Sequence, residues 1–304
     1  MGYLHINNLY KDQKILMLDE VYAMEKIHGT SAHIRFKDGQ ISFFSGGEKH
    51  ESFKSLFNEE FLKIALDSFG IAEIIINGEA YGGKCQGMSK TYGKELKFIV
   101  FDVRFNGQWL PVPAAEQVAK MLKLEFVHYV KITTKLSEID RERDADSVQA
   151  IRNGMGEGHK REGVVLRPLE ELVDDRGNRL IVKHKRAEFI ETKTPREVNP
   201  DKQLILKEAN AIAEEWVTEM RLQHVLSQVI VFKKLREKSD DVTLDVTDTK
   251  FVIEFMFEDV KREAKGEILE SQEARKAIGK RTAILFKKTF TDTLKEKVNE
   301  PAKR

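Results

Sequence analysis

The sequence predicts an α+β protein with antiparallel sheets flanked by helices in its first two-thirds and an all-helical C-terminal region. Strand and helix patterns alternate through the first two-thirds, where Lys37-Asp38-Gly39-Gln40 reads as a hairpin turn between two strands. From about residue 203 the apolar residues keep helical spacing and strand signals are scarce. Hairpins mixed with helices in one chain are typical of the α+β class.

The individual elements follow from local periodicity. Apolar or alternating runs predict strands at 14–25, 31–36, 41–45, 72–83, 96–110, 162–168 and 179–185. Spacings of three and four residues between apolar positions predict helices at 52–69, 113–122 and 136–152, and several more between 203 and 298.

A linker with two prolines, "TPREVNPDK" at 194–202, predicts two domains, 1–198 and 203–304. The final segment, 275–304, carries ten basic and three acidic residues. Such a charge run is commonly just a solvated helix face, and contact with nucleic acid is the alternative.

The composition excludes several classes of protein. The 304 residues include 51 basic and 50 acidic side chains, so the chain as a whole is not a polyelectrolyte. A single cysteine, Cys85, cannot form an internal disulfide framework and fits a reducing compartment. Neither a membrane-length apolar run nor a secretory signal pattern is found, which favours an intracellular, cytoplasmic protein with no membrane partner.

Lys26 is the candidate nucleophile. Lys-x-x-Gly occurs five times in the chain, so the pattern alone carries little weight, but only Lys26 follows a long apolar strand and enters a turn before a second strand. Gly29 would let backbone approach a phosphate closely at that turn. The alternative is a surface lysine beside a turn.

Two further lysines support a phosphate site. A lysine nucleophile must be unprotonated, and lowering a pKa of about 10.4 to neutrality costs roughly 4 kcal/mol, which burial and nearby cations can supply. Lys183 and Lys185 alternate on one strand, so both face one side while His184 faces the other. The alternative is a solvent-facing pair on an edge strand.

Several motifs occur in one order along the chain, and together they carry a resemblance. They are Lys26-Ile27-His28-Gly29-Thr30, Gly78-Glu79, "FIVFDV" at 98–103, Glu162-Gly163-Val164-Val165 and Lys183-His184-Lys185. This series resembles the motifs of covalent nucleotidyltransferases, and "EKIHGT" resembles the form found in the RNA ligase 2 family. The similarity extends into 214–228.

The resemblance implies an ATP-dependent RNA ligase that joins 5′-phosphate and 3′-hydroxyl RNA ends, most plausibly at nicks in duplexes. Lys26 would form a lysyl-AMP intermediate with ATP, aided by Mg²⁺ or Mn²⁺. Residues 1–198 would be the adenylyltransferase domain, residues 203–304 would bind RNA, and a monomer is the working expectation.

The resemblance also assigns roles to single residues. Lys183 and Lys185 would hold the α-phosphate, Glu162 would bind the metal through water, and Glu79 would bind the ribose. Phe101 would stack on adenine, and Glu25 or the backbone beside the lysine would read the base edge, with Ile27 and Gly29 also at the nucleotide. His28 would act in moving AMP to RNA, and Asp102 is a further candidate metal ligand.

Structural alternatives accompany these roles. Glu79 fits a surface carboxylate at a strand end, Phe101 fits a core residue and His28 fits a turn cap. The family usually has an arginine after the first hairpin, where this chain has Ser45-Gly46-Gly47 with Lys49 beyond, and Ser31 stands where the family has asparagine.

Three rival functions stay open at this point. A DNA ligase or a capping-type guanylyltransferase shares the motifs, but both typically append a β-barrel domain that 203–298 does not resemble. A non-catalytic RNA-binding protein could keep the same fold. The sequence leaves the natural RNA and the effect of the missing arginine open.

Overall fold

A computed structural model describes residues 2–173, 177–193, 198 and 208–299, with side chains described up to residue 289. The chain divides into two compact units, Met1–Glu188 and Phe189–Arg304. The predicted linker at 194–202 lies outside the described residues except for residue 198, so the predicted domains 1–198 and 203–304 stay predictions.

The strands of the described residues all lie in the first unit. In chain order they are β1 (Asn7–Asn8), β2 (Glu20–Lys26), β3 (Thr30–Lys37), β4 (Gln40–Ser45), β5 (Glu73–Gly82), β6 (Leu96–Phe105), β7 (Gln108–Trp109), β8 (Tyr129–Thr133), β9 (Gly163–Pro168) and β10 (Val182–Lys185). Residues 14–17, predicted as the start of a strand, instead form a 3-10 turn before β2.

These strands form two five-stranded sheets, ordered β1-β10-β9-β2-β8 and β4-β3-β5-β6-β7. All pairs are antiparallel except the short β1–β10 pair. β2 in one sheet leads into β3 in the other through only three residues, 27–29. The lysine motif therefore lies where the chain crosses between the sheets.

The described helices include one that lies one residue before the predicted 113–122, whereas the helices predicted at 52–69 and 136–152 are broken. The described helices are α1 (His50–Lys54), α2 (Glu59–Asp67), α3 (Ser89–Tyr92), α4 (Val112–Met121), α5 (Leu136–Arg143), α6 (Val148–Arg152), α7 (Ala209–Trp216), α8 (Glu219–Glu237), α9 (Thr249–Glu263) and α10 (Gln272–Asn299). The predicted helices at 52–69 and 136–152 are each two helices, because the Asn58 and Ser147 side chains cap new N-termini by accepting from Phe61 N and Ala150 N.

Each unit has its own apolar core. In the first, alternate residues of β3 and β5 such as Ile34, Phe36 and Ile76 pack with Phe53 of α1. In the second, Trp216, Met256 and Phe286 from different helices form the centre of a separate cluster. The mixed α+β fold with a helical second unit confirms the predicted fold class. Among the described residues, none of the helices combines the length and apolar character needed to span a membrane.

Candidate active site

Lys26 is the last residue of β2, where it pairs with Gly163 of β9. Its side chain is 22% exposed, and Nζ lies 2.9 Å from Glu162 Oε2. The backbone is fixed on the same side, because Glu162 N donates to the Lys26 carbonyl over 3.2 Å. The Lys26 side chain is thus held beside a buried carboxylate and does not extend freely from an open surface.

Glu162 is the centre of a charged cluster. Lys185 Nζ lies 2.9 Å from Oε1, and His28 Nδ1 lies 3.1 Å from the Oε2 that Lys26 also contacts. Burial by itself would raise the pKa of Glu162, but the charges of Lys185, Lys26 and His28 outweigh burial and hold this pKa well below its ordinary value. A single ionised carboxylate therefore gathers the nucleophile candidate, one strand lysine and the motif histidine.

The strand β10 separates its charged side chains by face. Lys185 contacts Glu162 on one side, whereas His184 Nε2 lies 2.8 Å from Asp140 Oδ1 and 2.8 Å from Arg143 on the other. Burial is the main reason that the pKa of His184 is lowered. Lys183 pairs with Val165 and shares the Lys185 side of the strand, as alternation predicts.

Glu79 of β5 lies next to this cluster. Its Oε1 accepts a hydrogen bond of 3.1 Å from Gly29 N. Burial raises the pKa of Glu79 to about 7, with the Glu162 charge adding to the rise and the Lys26 charge opposing it. Near neutral pH this carboxyl is consequently divided between its protonated and ionised forms.

Gly29 is required by packing. A Cβ at this position would lie 2.3 Å from the Ala80 carbonyl oxygen and 2.9 Å from Glu79 Cγ. The sequence suggested that glycine was needed for approach to phosphate, and the structure supplies a different reason. No side chain fits between the lysine turn and strand β5.

The side chains on either side of Lys26 already have partners within the fold. Glu25 is buried, its Oε1 accepts from Ser147 Oγ over 2.6 Å and its Oε2 from Gln149 N over 3.3 Å. Burial raises the pKa of Glu25 despite these hydrogen bonds. Ile27 lies in the apolar core. The Glu25 carboxylate thus already binds the start of α6, and the contact of Glu25 or the neighbouring backbone with a base edge stays a prediction.

Asp102, a predicted metal ligand, has different partners. Arg167 donates to Oδ1 over 3.0 Å, and Arg179 donates to Oδ2 over 2.7 Å. The Tyr3 hydroxyl donates to Oδ2 over 2.5 Å. Guanidinium groups occupy both oxygens of this fully buried carboxylate, so Asp102 is an ion-pair centre, and its role as a metal ligand stays a prediction.

Phe101 is half-buried and lies at an irregularity in the sheet. The β5–β6 register shifts between Asn77 and Gly78, which pair with Asp102 and Val100 and leave Phe101 without a cross-strand partner. The ring of Tyr3 meets it edge-on, with centroids 4.9 Å apart. Sequence periodicity gives no sign of this bulge or of the aromatic neighbour.

The region of the missing arginine follows β4. Gly46 N donates to the Ser31 carbonyl over 2.9 Å, and Glu48 N donates to Ser45 Oγ over 3.3 Å. Lys49 comes just before α1. This loop therefore stays close to Ser31, and Lys49 remains the candidate replacement for the arginine.

Sequence reasoning missed Tyr3, Arg167, Arg179 and Ser147. The ion pair of Arg167 could have been anticipated, because Arg167 lies on the strand that begins with the Glu162 motif. An arginine buried in a strand needs an acidic partner. The cap by Ser147 could also have been anticipated, from a serine before a helical run. Tyr3 and Arg179 join Asp102 from sequence distances of 99 and 77 residues, which no local pattern reveals.

Both oxygens of Glu162 bind Lys26, Lys185 or His28, so a divalent cation here would be held through water or would displace one of these cations. Glu162 and Glu79 are oxygen donors, the ligand type that Mg²⁺ and Mn²⁺ prefer. In the second unit, Glu191, His224 and Asp259 have their ligand atoms within 4.8 Å of one another. There Arg221 and Arg262 already bind the two oxygens of Asp259, so that group is an ion-pair network.

The antiparallel sheets and the lysine motif at their crossing have the fold of a covalent nucleotidyltransferase. Residues 19–185, more than half of the chain, match the sequence model of the RNA ligase family. The chain therefore belongs to the RNA ligase family. A search of curated proteins found no match.

Among solved structures the chain is similar to the Naegleria gruberi RNA ligase. An apo mutant of that enzyme has a TM-score of 0.50 at 15% identity, covering 62% of this chain and 57% of that one. The same enzyme with PPi has a TM-score of 0.49 at 16% identity, covering 63% and 57%. The chain thus spans less than two-thirds of that relative, and the likeness concerns the fold alone.

Proposed function

We propose that this protein is an ATP-dependent RNA ligase that seals 5′-phosphate and 3′-hydroxyl RNA ends, at nicks in duplexes, through a lysyl-AMP intermediate. The observation that carries the proposal is the sharing of one buried carboxylate, Glu162, by Lys26, Lys185 and His28. Structures of the Naegleria gruberi RNA ligase with ATP and Mn give the proposal a precedent in the same fold.

In the first step, Nζ of Lys26 loses a proton and attacks the α-phosphorus of ATP. The new N–P bond forms as the bond to the bridging oxygen breaks, and pyrophosphate leaves with the electron pair. Lys185, and Lys183 from the same face of β10, would neutralise charge that develops on the α-phosphate. A divalent cation at Glu162 would supply further charge neutralisation on the triphosphate.

The resting contacts suit this step. Lys26 and Lys185 are held 2.9 Å from Glu162, so their ammonium groups already converge where a phosphate would enter. Glu79 lies close enough to accept from Gly29 N, and we assign it to the ribose hydroxyls. Positioning of this kind lowers the entropic part of the barrier before reaction begins.

In the second step the AMP passes from Lys26 to the 5′-phosphate of RNA, and in the third a 3′-hydroxyl displaces AMP. His28 shares Glu162 Oε2 with Lys26, and this shared contact supports a role for His28 in the second step. Phe101 would hold the adenine by stacking throughout.

The helical unit is proposed to bind RNA. On α10 the exposed Lys276, Lys280 and Lys287 lie at spacings of four and seven residues, so they form one stripe along the helix. Duplex RNA is recognised chiefly through its backbone and shape, and ammonium groups bind its phosphates. Because the described part of 208–299 is helical, the β-barrel appendage of a DNA ligase or capping enzyme is not found there.

The deciding experiment is covalent labelling. The protein is first stripped of AMP with pyrophosphate and then incubated with Mg²⁺ and α-labelled ATP or GTP, followed by intact-mass measurement. We expect an adduct of one AMP with ATP alone that is stable to alkali and released by acid, as a lysine phosphoramidate should be, and that is absent in Lys26→Ala. Lys276→Ala is the matched control, since it removes another lysine of a Lys-x-x-Gly pattern, and it should label normally.

Other outcomes would redirect the function. Labelling by GTP would indicate a capping-type enzyme, and absence of label in folded protein would indicate an RNA-binding relative without catalysis. If labelling succeeds, nicked duplexes with RNA or DNA strands at the break separate an RNA ligase from a DNA ligase. Sealing of RNA should weaken steeply as salt rises.

A further inference from the structure

Tyr3 contacts three parts of the candidate site although it belongs to none of the motifs. Its hydroxyl donates to Asp102 Oδ2 over 2.5 Å and accepts from Arg179 over 2.9 Å. Its peptide N–H donates to Ser31 Oγ over 3.1 Å. Its ring stands edge-on to Phe101 at 82°. One residue therefore joins two strands of the sheet that carries Glu79.

Phe101 needs such support more than its neighbours do. The register shift opposite Asn77 and Gly78 leaves Phe101 without a residue across the strand pair. A bulged residue is aimed by its surroundings and not by the regular ladder, and bulges of this type frequently redirect side chains beside active sites. The plane of the Phe101 ring thus depends on the side chains that touch it.

The Tyr3 ring is itself held on several sides. Besides the two hydrogen bonds of its hydroxyl, it meets the ring of Trp109 edge-on, with centroids 5.6 Å apart. Burial, together with the Asp102 charge, raises the pKa of Tyr3 well above its ordinary value, so the phenol stays protonated and can donate. A ring fixed in this way presents a rigid edge to Phe101.

Ser31 links this arrangement to the nucleotide. It pairs with Glu79 across β3 and β5, so their side chains lie on the same face of the sheet. The Tyr3 peptide group holds the Ser31 hydroxyl on that face. Tyr3 therefore contacts the residue assigned to adenine and the cross-strand neighbour of the residue assigned to ribose.

We propose that Tyr3 is a positioning residue that sets the plane of the Phe101 ring and thereby the binding of the adenine base. This inference rests on the proposed function, because it takes Phe101 as the stacking partner of ATP. It requires Tyr3 to affect the affinity for the base and to leave the chemistry at Lys26 unchanged.

The test compares Tyr3→Ala and Tyr3→Phe with wild type in the labelling reaction. An aromatic pair contributes roughly 0.5–1.5 kcal/mol, so Tyr3→Ala should raise the KM for ATP about two- to thirteenfold while kcat for adenylylation stays within about twofold. Tyr3→Phe keeps the ring and should restore most of the affinity. Thermal unfolding of each variant is measured alongside.

A matched control and a ligand without a base make the result specific. Tyr129→Phe removes another tyrosine hydroxyl that donates to a carboxylate, Glu116 Oε2 at 2.8 Å, and should leave the KM unchanged. Inorganic tripolyphosphate competes for the phosphate site alone, so its inhibition constant should be equal in wild type and Tyr3→Ala.

Two results would overturn the inference while the proposed function stands. One is an unchanged KM for ATP in Tyr3→Ala. The other is a parallel change in tripolyphosphate inhibition, which would indicate a general distortion of the site. A wild type that neither binds ATP nor becomes labelled would instead overturn the proposed function and this inference with it.

Discussion

Two buried carboxylates of the first unit, Glu162 and Asp102, each bind more than one basic side chain, but the kind of cation differs. Glu162 binds Lys26 and Lys185, which are compact charges on flexible stems. Asp102 binds Arg167 and Arg179, whose planar groups fix direction as well as charge. Under the proposed function, the lysine cluster exchanges its carboxylate for a phosphate, whereas the arginine cluster joins strands of the fold.

The lysine and arginine clusters also differ in the solvent exposure of their cations. The Lys26 side chain is 22% exposed, and the Arg167 side chain is 1% exposed. A ligand can reach the first cluster without unfolding the protein, and the second lies closed within the fold. The comparison teaches that a buried ion pair indicates function only when its cation can be released to a ligand.

The largest expected effect is on stability at the arginine cluster. Asp102→Asn leaves two guanidinium groups with one charged partner, Glu171, and should lower the free energy of unfolding by about 3 kcal/mol. Denaturant unfolding measures it. The control Glu20→Gln breaks the exposed pair with Lys131 and should cost less than about 1 kcal/mol. Equal losses in the two variants would contradict the structural role of Asp102.

The lysine cluster should respond in the opposite way. Glu162→Gln should reduce the rate of lysyl-AMP formation at least about a hundredfold, because the cation site and the shared carboxylate are lost together. Its stability should fall less than that of Asp102→Asn, and added pyrophosphate should restore it, since an anion can take the place of the carboxylate between the lysines. A loss of stability that pyrophosphate does not reverse would refute the exchange.

Glu79 extends the comparison to the pH dependence of folding stability. Its folded pKa of about 7 lies above the ordinary 4.5, so between these values the folded state holds a proton that the unfolded state has released. Stability from this group is therefore complete below pH 4.5 and is lost as pH rises through 7.

Glu79→Gln removes that dependence and keeps an oxygen acceptor for Gly29 N. The full shift corresponds to about 3 kcal/mol, which partial exposure of the side chain reduces to about 2 kcal/mol. The variant should thus gain stability over wild type by about that amount at pH 8 and by little at pH 4.5. Denaturant unfolding across this range is the measurement, and a constant difference would show that Glu79 does not titrate as described.

The smallest expected effect concerns Glu25, a third buried carboxylate, which is held by a hydroxyl and a peptide N–H. Ser147→Ala removes a helix cap, worth about 1 kcal/mol, together with the hydrogen bond to Glu25. Asn58→Ala removes a cap without a link to a carboxylate. Ser147→Ala should cost more in denaturant unfolding, and equal costs would mean that the Glu25 bond adds no stability.

The sequence was sufficient for the residues of the lysine cluster because each lies at or next to a strand end. Alternation along 183–185 correctly predicted that Lys185 and His184 face opposite sides, where they contact Glu162 and Asp140. Strand order then brings these short motifs together without further information.

The partners of Asp102 could not be predicted in the same way. Arg179 and Tyr3 reach it through tertiary contacts between distant segments, and the register shift that separates Phe101 from Asp102 leaves no trace in apolar periodicity. Two helices were predicted too long for a related reason. Apolar spacing continues across 55–58 and 144–147, and only the capping side chains mark the breaks.

Gly29 has a consequence for comparing this chain with its relatives. A methyl group there would collide with the Ala80 carbonyl whether or not a nucleotide ever binds. A descendant that lost Lys26 and all catalysis would still be selected to keep the glycine in order to fold. The glycine of the motif thus indicates common ancestry and not activity. Under the proposed function, Lys26 is the residue of the motif that distinguishes an active enzyme from an inactive relative.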